Sequence, residues 1–340
     1  MKADPEAIPQ SLFRFRHAEK AAEQEAGAAA PSFWKDAWLR LCRNKGAVVS
    51  MLLLLIIVVV AFSAPALAPY DPNAQNVPRA NLPPRIPGVG IPGLNGYSSL
   101  AGRPVDRYKL AGVPADTNYY FGTDEFGRDL FSRTLYGTRI SLIIAFVAAV
   151  LDLTIGVAYG LTSAMKGGRV DTVMQRLLEI LSGIPGLVLV VLILLVFSSG
   201  LFSIIFALAI SSWIPMARMV RAQTLRIKNM EYVLAARALG TSEVRIALSH
   251  VLPNIAGIVV VRTMFSIPAA IFFETFLSFI GVGMKIPNAS LGTLLNGGYK
   301  VFRIYPYQMW IPAAVLCAIM LVFNLFADGL RDALDPRMKE

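Results

Sequence analysis

The stretch GAVVSMLLLLIIVVVAFSAPALAPY, residues 46–70, holds no charged side chain and decides the class of the protein. The hydrocarbon core of a bilayer is about 30 Å thick, and a helix of about 20 apolar residues crosses it. Residues 1–30 contain several glutamates and no apolar run of signal-peptide type, so we expect the stretch to be retained. The sequence therefore predicts a membrane protein whose first span is 46–70, preceded by a disordered cytoplasmic tail over 1–30.

The composition of the whole chain supports the same class. Of 340 residues, 55% are hydrophobic and only 16% are charged, and the mean hydropathy is +0.57. Soluble domains are about 45–50% apolar. The net charge of +10 does not call for a nucleic-acid partner, because Lys and Arg gather at the ends of apolar runs. The two cysteines, Cys42 and Cys317, lie in different segments, so no disulfide framework is expected.

Apolar windows predict an all-α membrane protein with six transmembrane helices. Five further windows lie within a core over 139–330, if the long charge-free run folds back at 198–200. In the short loops Lys and Arg favour the side of the N-terminus, so both termini are expected in the cytoplasm. The longest inner loop is then 218–253, and 331–340 is an inner tail. The five windows are 140–165, about 172–197, 201–217, 251–284 and 304–327.

Two segments flank the first span. Residues 31–45 place Phe33, Trp34, Trp38 and Leu41 within reach of one helical face, which predicts an amphipathic helix lying in the membrane interface. The outer segment 71–138 is rich in Pro and Gly, which favours a turn-rich loop layer over long helices. Such a layer can contact a partner outside the cell or serve only as a linker.

Residues that could carry catalysis are scarce. No G-x-x-x-x-G-K-[ST] phosphate loop occurs, so this chain is not expected to hydrolyse ATP by that route. The histidines are His17 and His250, too few for a histidine-based metal cluster or a hydrolytic triad. We therefore expect no catalytic residue, no metal site and no cofactor bound by this chain.

The inner loop carries the signals of a helical hairpin. Asn229 can cap a first helix, and Gly240 suits the left-handed residue that ends it. Thr241 or Ser242 can cap a second helix that reaches His250. Small residues around the turn would let a partner approach closely, although the same pattern also fits an ordinary well-packed loop.

The hairpin sequence EYVLAARALG, residues 231–240, followed by Leu252 and Pro253, resembles the EAA loop of ATP-binding-cassette (ABC) importer permeases. Leu234 stands where that motif has its Glu, and His250 where it has Ile. In that family the loop docks into a cleft of an ATPase subunit. The residues that the resemblance assigns to ATPase coupling are Glu231, Ala235, Ala236, Arg237, Gly240, Thr241, Leu252 and Pro253.

Two more segments narrow the resemblance. FGTDEFGRD at 121–129 and DGLRDALDP at 328–336 are similar to the C-type permease of oligopeptide and dipeptide importers, and the likeness covers about 31–337. The signature residues are Gly122, Thr123, Asp124, Gly127, Arg128, Asp129, Asp328, Gly329, Arg331, Asp332, Asp335 and Pro336.

The resemblance implies a type I ABC importer permease fold and a multi-pass protein of a prokaryotic plasma (inner) membrane. The implied partners are a second homologous permease, two cytoplasmic ATPases that hold ATP and Mg, and an extracytoplasmic peptide-binding protein. Nickel or a metal chelate is an alternative cargo within the same broad family. A channel is an alternative of a different class, and the EAA-like hairpin argues against it.

Three carboxylates fall within the predicted spans: Asp152, Glu179 and Glu274. A charged carboxylate at the bilayer centre costs about 2.5–3.5 kcal/mol on insertion scales, so Asp152 and Glu274 should face protein or water rather than lipid. These groups can line a peptide path and meet a substrate amine, or they can form structural ion pairs and hydrogen bonds. The sequence leaves both interpretations open.

Small residues and prolines predict how the spans pack. Gly156 and Gly160 form a G-x-x-x-G pattern that lets another helix approach closely. Pro185, Pro215 and Pro268 should bend three of the spans, because each removes a backbone hydrogen bond.

Overall fold

Helices make up nearly all the regular structure of the computed structural model, which describes residues 33–100, 103–197, 200–284 and 287–335. The predicted tail over 1–30, most of the fold-back at 198–200 and the end of the chain from Pro336 lie outside these residues.

The N-terminal helices meet at Asn44. Helix α1 covers Phe33–Arg43 and helix α2 covers Lys45–Phe62, followed by the short α3, Ala64–Leu67. The side chain of Asn44 accepts a hydrogen bond from the Ala47 N–H and so satisfies a free donor at the start of α2. Helix α2 occupies residues 46–62 of the first predicted span, so the predicted span extends eight residues beyond the end of this helix.

Helix α1 is amphipathic, but Leu41, predicted to share a face with the three aromatic residues, differs from them in burial. Ala37 and Leu41 are buried, whereas Phe33, Trp34 and Trp38 are exposed. The helix packs against the last helix of the chain. Its exposed aromatic rings are of the type that settles at the headgroup level of a bilayer.

The segment after α3 folds into a layer of turns with a small core. Leu82, Tyr108, Val113 and Tyr119 pack together, and Tyr108 donates a hydrogen bond to the Pro83 carbonyl. Two short antiparallel strands pair within this layer. Its elements are a 3-10 turn at Val77–Arg79, β1 at Tyr97–Leu100, β2 at Arg103–Asp106 and helix α4 at Arg107–Leu110.

The next helix begins earlier than the hydropathy predicts. Helix α5 covers Leu130–Lys166, so residues 130–138 are helical rather than part of the outer loop. The Asp129 carboxylate accepts hydrogen bonds from the Ser132 N–H and hydroxyl, which fixes the start of the helix. The first turns escape a hydropathy window because they include the buried Arg133.

The predicted third span is a bent pair of helices. Helices α6, Gly168–Gly183, and α7, Gly186–Val196, meet at an angle of 79°. Pro185 lies at the bend, as predicted, and precedes the first residue of α7. Five helices of the described chain are long and apolar enough to cross a membrane, and the bent pair gives six if it is one span.

The predicted fourth span is also interrupted. Helices α8, Leu201–Ser211, and α9, Ile214–Ile227, are separated by Ser212 and Trp213. Pro215 lies in the first turn of α9, where its missing N–H costs no helical hydrogen bond.

The inner hairpin leads directly into the fifth span. Helix α11 continues through a π-helical turn into α12, so the chain is helical from 243 to 279. The Leu252 N–H donates to the Ala247 carbonyl in this turn. The elements are α10 at Glu231–Ala238, α11 at Glu243–Ile246, the π turn at Ala247–Val251, α12 at Leu252–Phe279, α13 at Leu291–Lys300 and α14 at Tyr307–Leu334.

Helix α5 is the centre of the bundle and packs against α9 and α12. A Cβ added to Gly156 would lie 2.6 Å from the Met216 Cβ, and one added to Gly160 would lie 2.5 Å from the Ala217 carbonyl. The close approach predicted from the G-x-x-x-G pattern is therefore confirmed, and α9 is the helix that makes it.

Candidate functional site

The turn of the inner hairpin is built on Gly240, whose φ is +81°. Its N–H donates to the Arg237 carbonyl and the Thr241 N–H donates to the Ala236 carbonyl. This pair of bonds is a Schellman motif, which satisfies the last carbonyls of α10 and requires a left-handed residue. The predicted role of Gly240 in the turn is confirmed.

The caps of the two short helices agree with the sequence only in part. Ser242 accepts a hydrogen bond from the Arg245 N–H and caps α11, as predicted. The cap expected from Asn229 is wrong, because Met230 is the N-cap residue of α10. The Asn229 amide instead donates to the Leu225 carbonyl of the preceding helix.

An ion pair crosses the turn. Arg237 Nε lies 2.9 Å from Glu243 Oε1, and a second guanidinium nitrogen lies 3.2 Å from Glu243 Oε2. The two groups join the end of α10 to the start of α11 across the turn.

Three buried side chains anchor the hairpin to the helical bundle. Val233 of α10 and Ile246 and Val251 of the second arm are almost inaccessible and pack in one cluster with Met216 and Val220. Because these two residues belong to α9, the hairpin rests on the helix that packs against α5.

The opposite surface of the hairpin exposes apolar side chains. Leu239 at the turn is 87% exposed, Val244 is 69% exposed and Leu248 is 56% exposed. Tyr232 and Leu234 are also largely exposed. An exposed apolar patch rimmed by charged groups is typical of a protein interaction site.

The remaining residues that the resemblance assigns to coupling lie on or near this surface. Glu231 and Ala235 are exposed, while Ala236 and Thr241 are half-buried at the turn. Leu252 is half-buried and Pro253 is exposed in the first turn of α12. The π turn precedes this proline, which has no N–H to offer to an upstream carbonyl.

Pro253 also lines a cavity of about 560 Å³. Its other walls are the interfacial helix α1, through Phe33 and Trp34, and the end of α14, through Leu334. The start of α12 is therefore enclosed by the two ends of the chain that the structure describes.

The first signature segment forms a buried turn before α5. The Asp124 carboxylate accepts hydrogen bonds from the backbone N–H groups of Phe126 and Arg128, and from Arg128 Nε at 2.7 Å. The Thr123 hydroxyl donates to the Arg79 carbonyl and accepts from the Leu82 N–H. These bonds join the turn to the outer loop layer.

The backbone at positions 122 and 127 explains why this signature has glycine at both. Their φ angles are +77° and +72°, and a Cβ on Gly127 would lie 1.8 Å from the Asn76 carbonyl. Burial raises the pKa of the Asp129 carboxyl above its usual value, against the opposing hydrogen bonds from Ser132. The segment acts as the structural start of α5.

The second signature lies at the end of α14. A Cβ added to Gly329 would lie 2.4 Å from the Ala47 Cβ, so this glycine lets α14 approach α2. Asp328, Arg331 and Asp332 are exposed, and Asp335 is half-buried. Pro336 lies outside the described residues.

The predicted intramembrane carboxylates do not form one group. Glu274 is fully buried and accepts hydrogen bonds from Ser141 at 2.8 Å and Ser278 at 2.9 Å. Glu179 is exposed on the amphipathic α6, where it pairs with Arg176. Glu179 therefore belongs to the surface of the described chain and not to its buried polar groups.

Asp152 lies in a different place, in the wall of a cavity of about 240 Å³. It is 6% exposed, and its Oδ1 makes no hydrogen bond of good geometry with any described residue. Arg262, Ser212 and Ser266 line the same cavity. The sequence gives no means of placing Arg262 beside Asp152, because the two residues belong to different helices.

A second pair of opposite charges, Asp171 and Arg221, was not predicted from the sequence. Arg221 donates two hydrogen bonds to Asp171, at 2.7 and 2.6 Å, and the Ser163 hydroxyl donates to the same carboxylate. The pair ties α6 to α9. The charge bias of the short loops concerns only Lys and Arg, so it could not pair Arg221 with Asp171.

No group of three or more His, Cys, Asp or Glu side chains able to hold a metal ion occurs in the part of the chain that the structure describes. The geometry instead combines a hairpin with an exposed apolar surface, buried polar groups within the helices and a bent span.

Comparison with protein families gives two matches. The family of binding-protein-dependent transport system inner membrane components matches residues 152–340. The N-terminal TM domain of oligopeptide transport permease C matches residues 32–84.

Curated relatives match nearly the full chain. The dipeptide transport system permease protein DppC of Lactococcus lactis subsp. cremoris (strain MG1363) is 45% identical over 91% of this chain and 92% of its own length. The oligopeptide transport system permease protein OppC of Bacillus subtilis (strain 168) is 38% identical over 98% of this chain and 99% of its own. The oligopeptide transport system permease protein OppC of Escherichia coli (strain K12) is 36% identical over 90% of this chain and 92% of its own length.

Solved structures support the fold. An inward-facing structure of the MetNI methionine ABC transporter superposes with a TM-score of 0.51 at 19% identity, covering 61% of this chain and 98% of the other. The expected type I importer permease fold is therefore confirmed. On the family match and the full-length relatives together, the chain belongs to the family of binding-protein-dependent transport system inner membrane components.

Proposed function

We propose that this chain is a membrane-spanning permease subunit of an ATP-driven importer of oligopeptides or dipeptides. The observation that carries the proposal is the hairpin at 231–253, with its exposed apolar turn and its continuous helical link to α12. Full-length relatives named as dipeptide and oligopeptide permeases support the cargo. They give no support to nickel or a metal chelate.

The chain itself is non-catalytic in this proposal. Its partners are a second homologous permease, two cytoplasmic ATPase subunits that bind ATP and Mg, and an extracytoplasmic peptide-binding protein. The exposed Leu239, Val244 and Leu248 fit an apolar cleft on an ATPase, and the nearby ion pair supplies a charged rim.

Coupling follows from how the hairpin is attached. Val233 and Ile246 fix it to α9, and α11 runs through the π turn into α12. A displacement of the hairpin by ATPase closure must therefore move α9 and α12 with it, because packed helices shift as units. ATP binding favours one state of the spans only through contacts that differ between the two states.

In the proposed topology both termini and the hairpin lie in the cytoplasm, and the layer over 71–129 lies outside a prokaryotic plasma membrane, as the Lys and Arg bias of the short loops supports. A variant without Cys42 and Cys317 allows a direct test in intact cells. An impermeant maleimide should label Gly90→Cys, which is exposed with no atom crowding it, and should not label Ser249→Cys. Labelling of Ser249→Cys alone would contradict the orientation.

The cargo is tested by uptake in cells that lack the gene. A labelled random library of dipeptides to pentapeptides should enter only when the chain is restored, and radioactive nickel should enter equally in both strains. Copurification with a tagged chain should recover a second permease and an ATPase. Nickel uptake that depends on the chain, with no effect on peptides, would replace the proposed cargo.

A further inference from the structure

The cavity of about 240 Å³ beside Asp152 lies where several structural interruptions meet. Ser211 is the last residue of α8, and Ser212 begins the two-residue irregularity between α8 and α9, which together form one span. Gly186 is the first residue of α7, directly after the bend at Pro185. Broken helices at membrane depth are tolerated where they line a cavity, and transporters place substrate sites there.

The lining of the cavity combines opposite charges with unsatisfied polar atoms. Asp152 comes from α5 and Arg262 from α12, so a cation and an anion face the same space. The Oδ1 atom of Asp152 and the hydroxyl of Ser212 are both buried without a hydrogen bond of good geometry within the described chain, although the Ser212 and Ser266 hydroxyls lie close to this carboxylate. A buried carboxylate oxygen left without a donor costs free energy, which a ligand bearing N–H groups would recover.

The remaining walls are apolar. Phe265 and Phe273 of α12 line the cavity with Leu208 of α8. The volume is below the range of about 300–1,000 Å³ typical of sites for drug-sized ligands, so it suits a part of a larger molecule. A charged amino group, an adjacent carbonyl or carboxylate and one side chain match the polar groups and the apolar walls.

We propose that this cavity is a transient site for one end of the transported peptide, with the α-ammonium group at Asp152 and a carbonyl or carboxylate oxygen at Arg262. The inference rests on the proposed function and adds the place and the chemistry of a cargo contact. It assigns α5, α8 and α12 to the path. Glu274, whose oxygens already accept hydrogen bonds from Ser141 and Ser278, lies outside it.

The test measures occupancy of the cavity. Ser211→Cys, in a background without Cys42 and Cys317, places a thiol in the wall of the cavity. In the purified complex, with its binding protein and the random peptide library, labelling by a soluble maleimide should slow about fivefold, as expected when about four sites in five are filled. Asp152→Asn and Arg262→Gln should each remove this protection while the complex still assembles.

Uptake gives the second readout. Asp152→Asn should raise the peptide concentration for half-maximal uptake about tenfold, since it removes a charge-assisted hydrogen bond. Glu179→Gln is the matched control, because it also loses a carboxylate but lies on the exposed face of α6, and it should change neither readout.

The outcomes separate the two proposals. Normal peptide uptake with no protection of Ser211→Cys, or with protection that survives Asp152→Asn, overturns the site and leaves the importer intact. Absence of any peptide uptake that depends on the chain overturns the importer and the site together. If Asp152→Asn fails to assemble, protection of the otherwise unaltered Ser211→Cys protein still decides the question.

Discussion

Arg237 and Glu243 lie on opposite sides of the turn at Gly240, with the guanidinium Nε 2.9 Å from Glu243 Oε1. Both side chains are partly exposed, so the pair adds about 0–1 kcal/mol to stability. Its position matters more than its energy, because it links the two arms of the surface proposed to meet the ATPase.

Reversing this pair tests whether its geometry matters for coupling. Arg237→Glu places two negative charges across the turn, and we expect peptide-stimulated ATP hydrolysis by the complex to fall several-fold while membrane insertion is unchanged. Adding Glu243→Arg should restore most of the activity. If the double variant is as impaired as the single one, the pair acts through direct contact with the ATPase.

Gly240→Val tests the left-handed turn. A β-branched residue at a φ of +81° adds about 1–3 kcal/mol of local strain. We expect normal assembly with reduced uptake and reduced peptide-stimulated ATP hydrolysis, neither of which is restored by more binding protein. Gly240→Asn is the control, because Asn tolerates this conformation better. A Val variant that transports normally would contradict the placement of the coupling contact.

Gly160→Ala tests the contact between α5 and α9. The new Cβ would lie 2.5 Å from the Ala217 carbonyl, so the helices must separate, at a cost of about 1–3 kcal/mol. We expect a lower midpoint of thermal aggregation in detergent. Gly297→Ala, where no atom lies within 4 Å of the added Cβ, should leave the midpoint unchanged. Equal midpoints for the two variants would show that the contact is not tight.

Glu274 should contribute through its acceptor oxygens. Glu274→Leu leaves the Ser141 and Ser278 hydroxyls without this acceptor, and we expect a loss of about 1–3 kcal/mol, measured as a lower aggregation midpoint. Glu274→Gln keeps a carbonyl acceptor and should fall between the wild type and Leu. An equally lowered aggregation midpoint in both variants would show that the negative charge of Glu274, rather than its acceptor oxygens, provides the stability.

Local chemistry explains what the sequence could predict. The G-x-x-x-G at Gly156 and the glycine turn at 240 depend on neighbouring residues, and both predictions agree with the structure. The apolar window at 46–70 predicts a helix that the structure shows over its first part, up to Phe62. The start of α5 was missed because its first turns carry the buried Arg133, whose carbonyl partners, Pro72 and Pro287, are distant in sequence.

The charged groups also include features that the sequence alone can predict and features that depend on packing between distant helices. The burial of Asp152 follows from the cost of exposing a carboxylate to lipid, which the sequence alone can supply. Its position across a cavity from Arg262 depends on how α5 and α12 pack, as does the pairing of Asp171 with Arg221. Pairings between distant helices leave no periodic trace in a single sequence.

The π turn at Ala247–Val251 sets the direction in which the hairpin points. A π turn holds one residue more than the regular helix would, and each residue of an α-helix turns the chain by about 100°. Removal of one residue from this turn would therefore rotate Leu239 and Val244 about the axis of α12 while the span below kept its register. The direction in which the exposed apolar surface of the hairpin faces is therefore set by the π turn, separately from the register of α12.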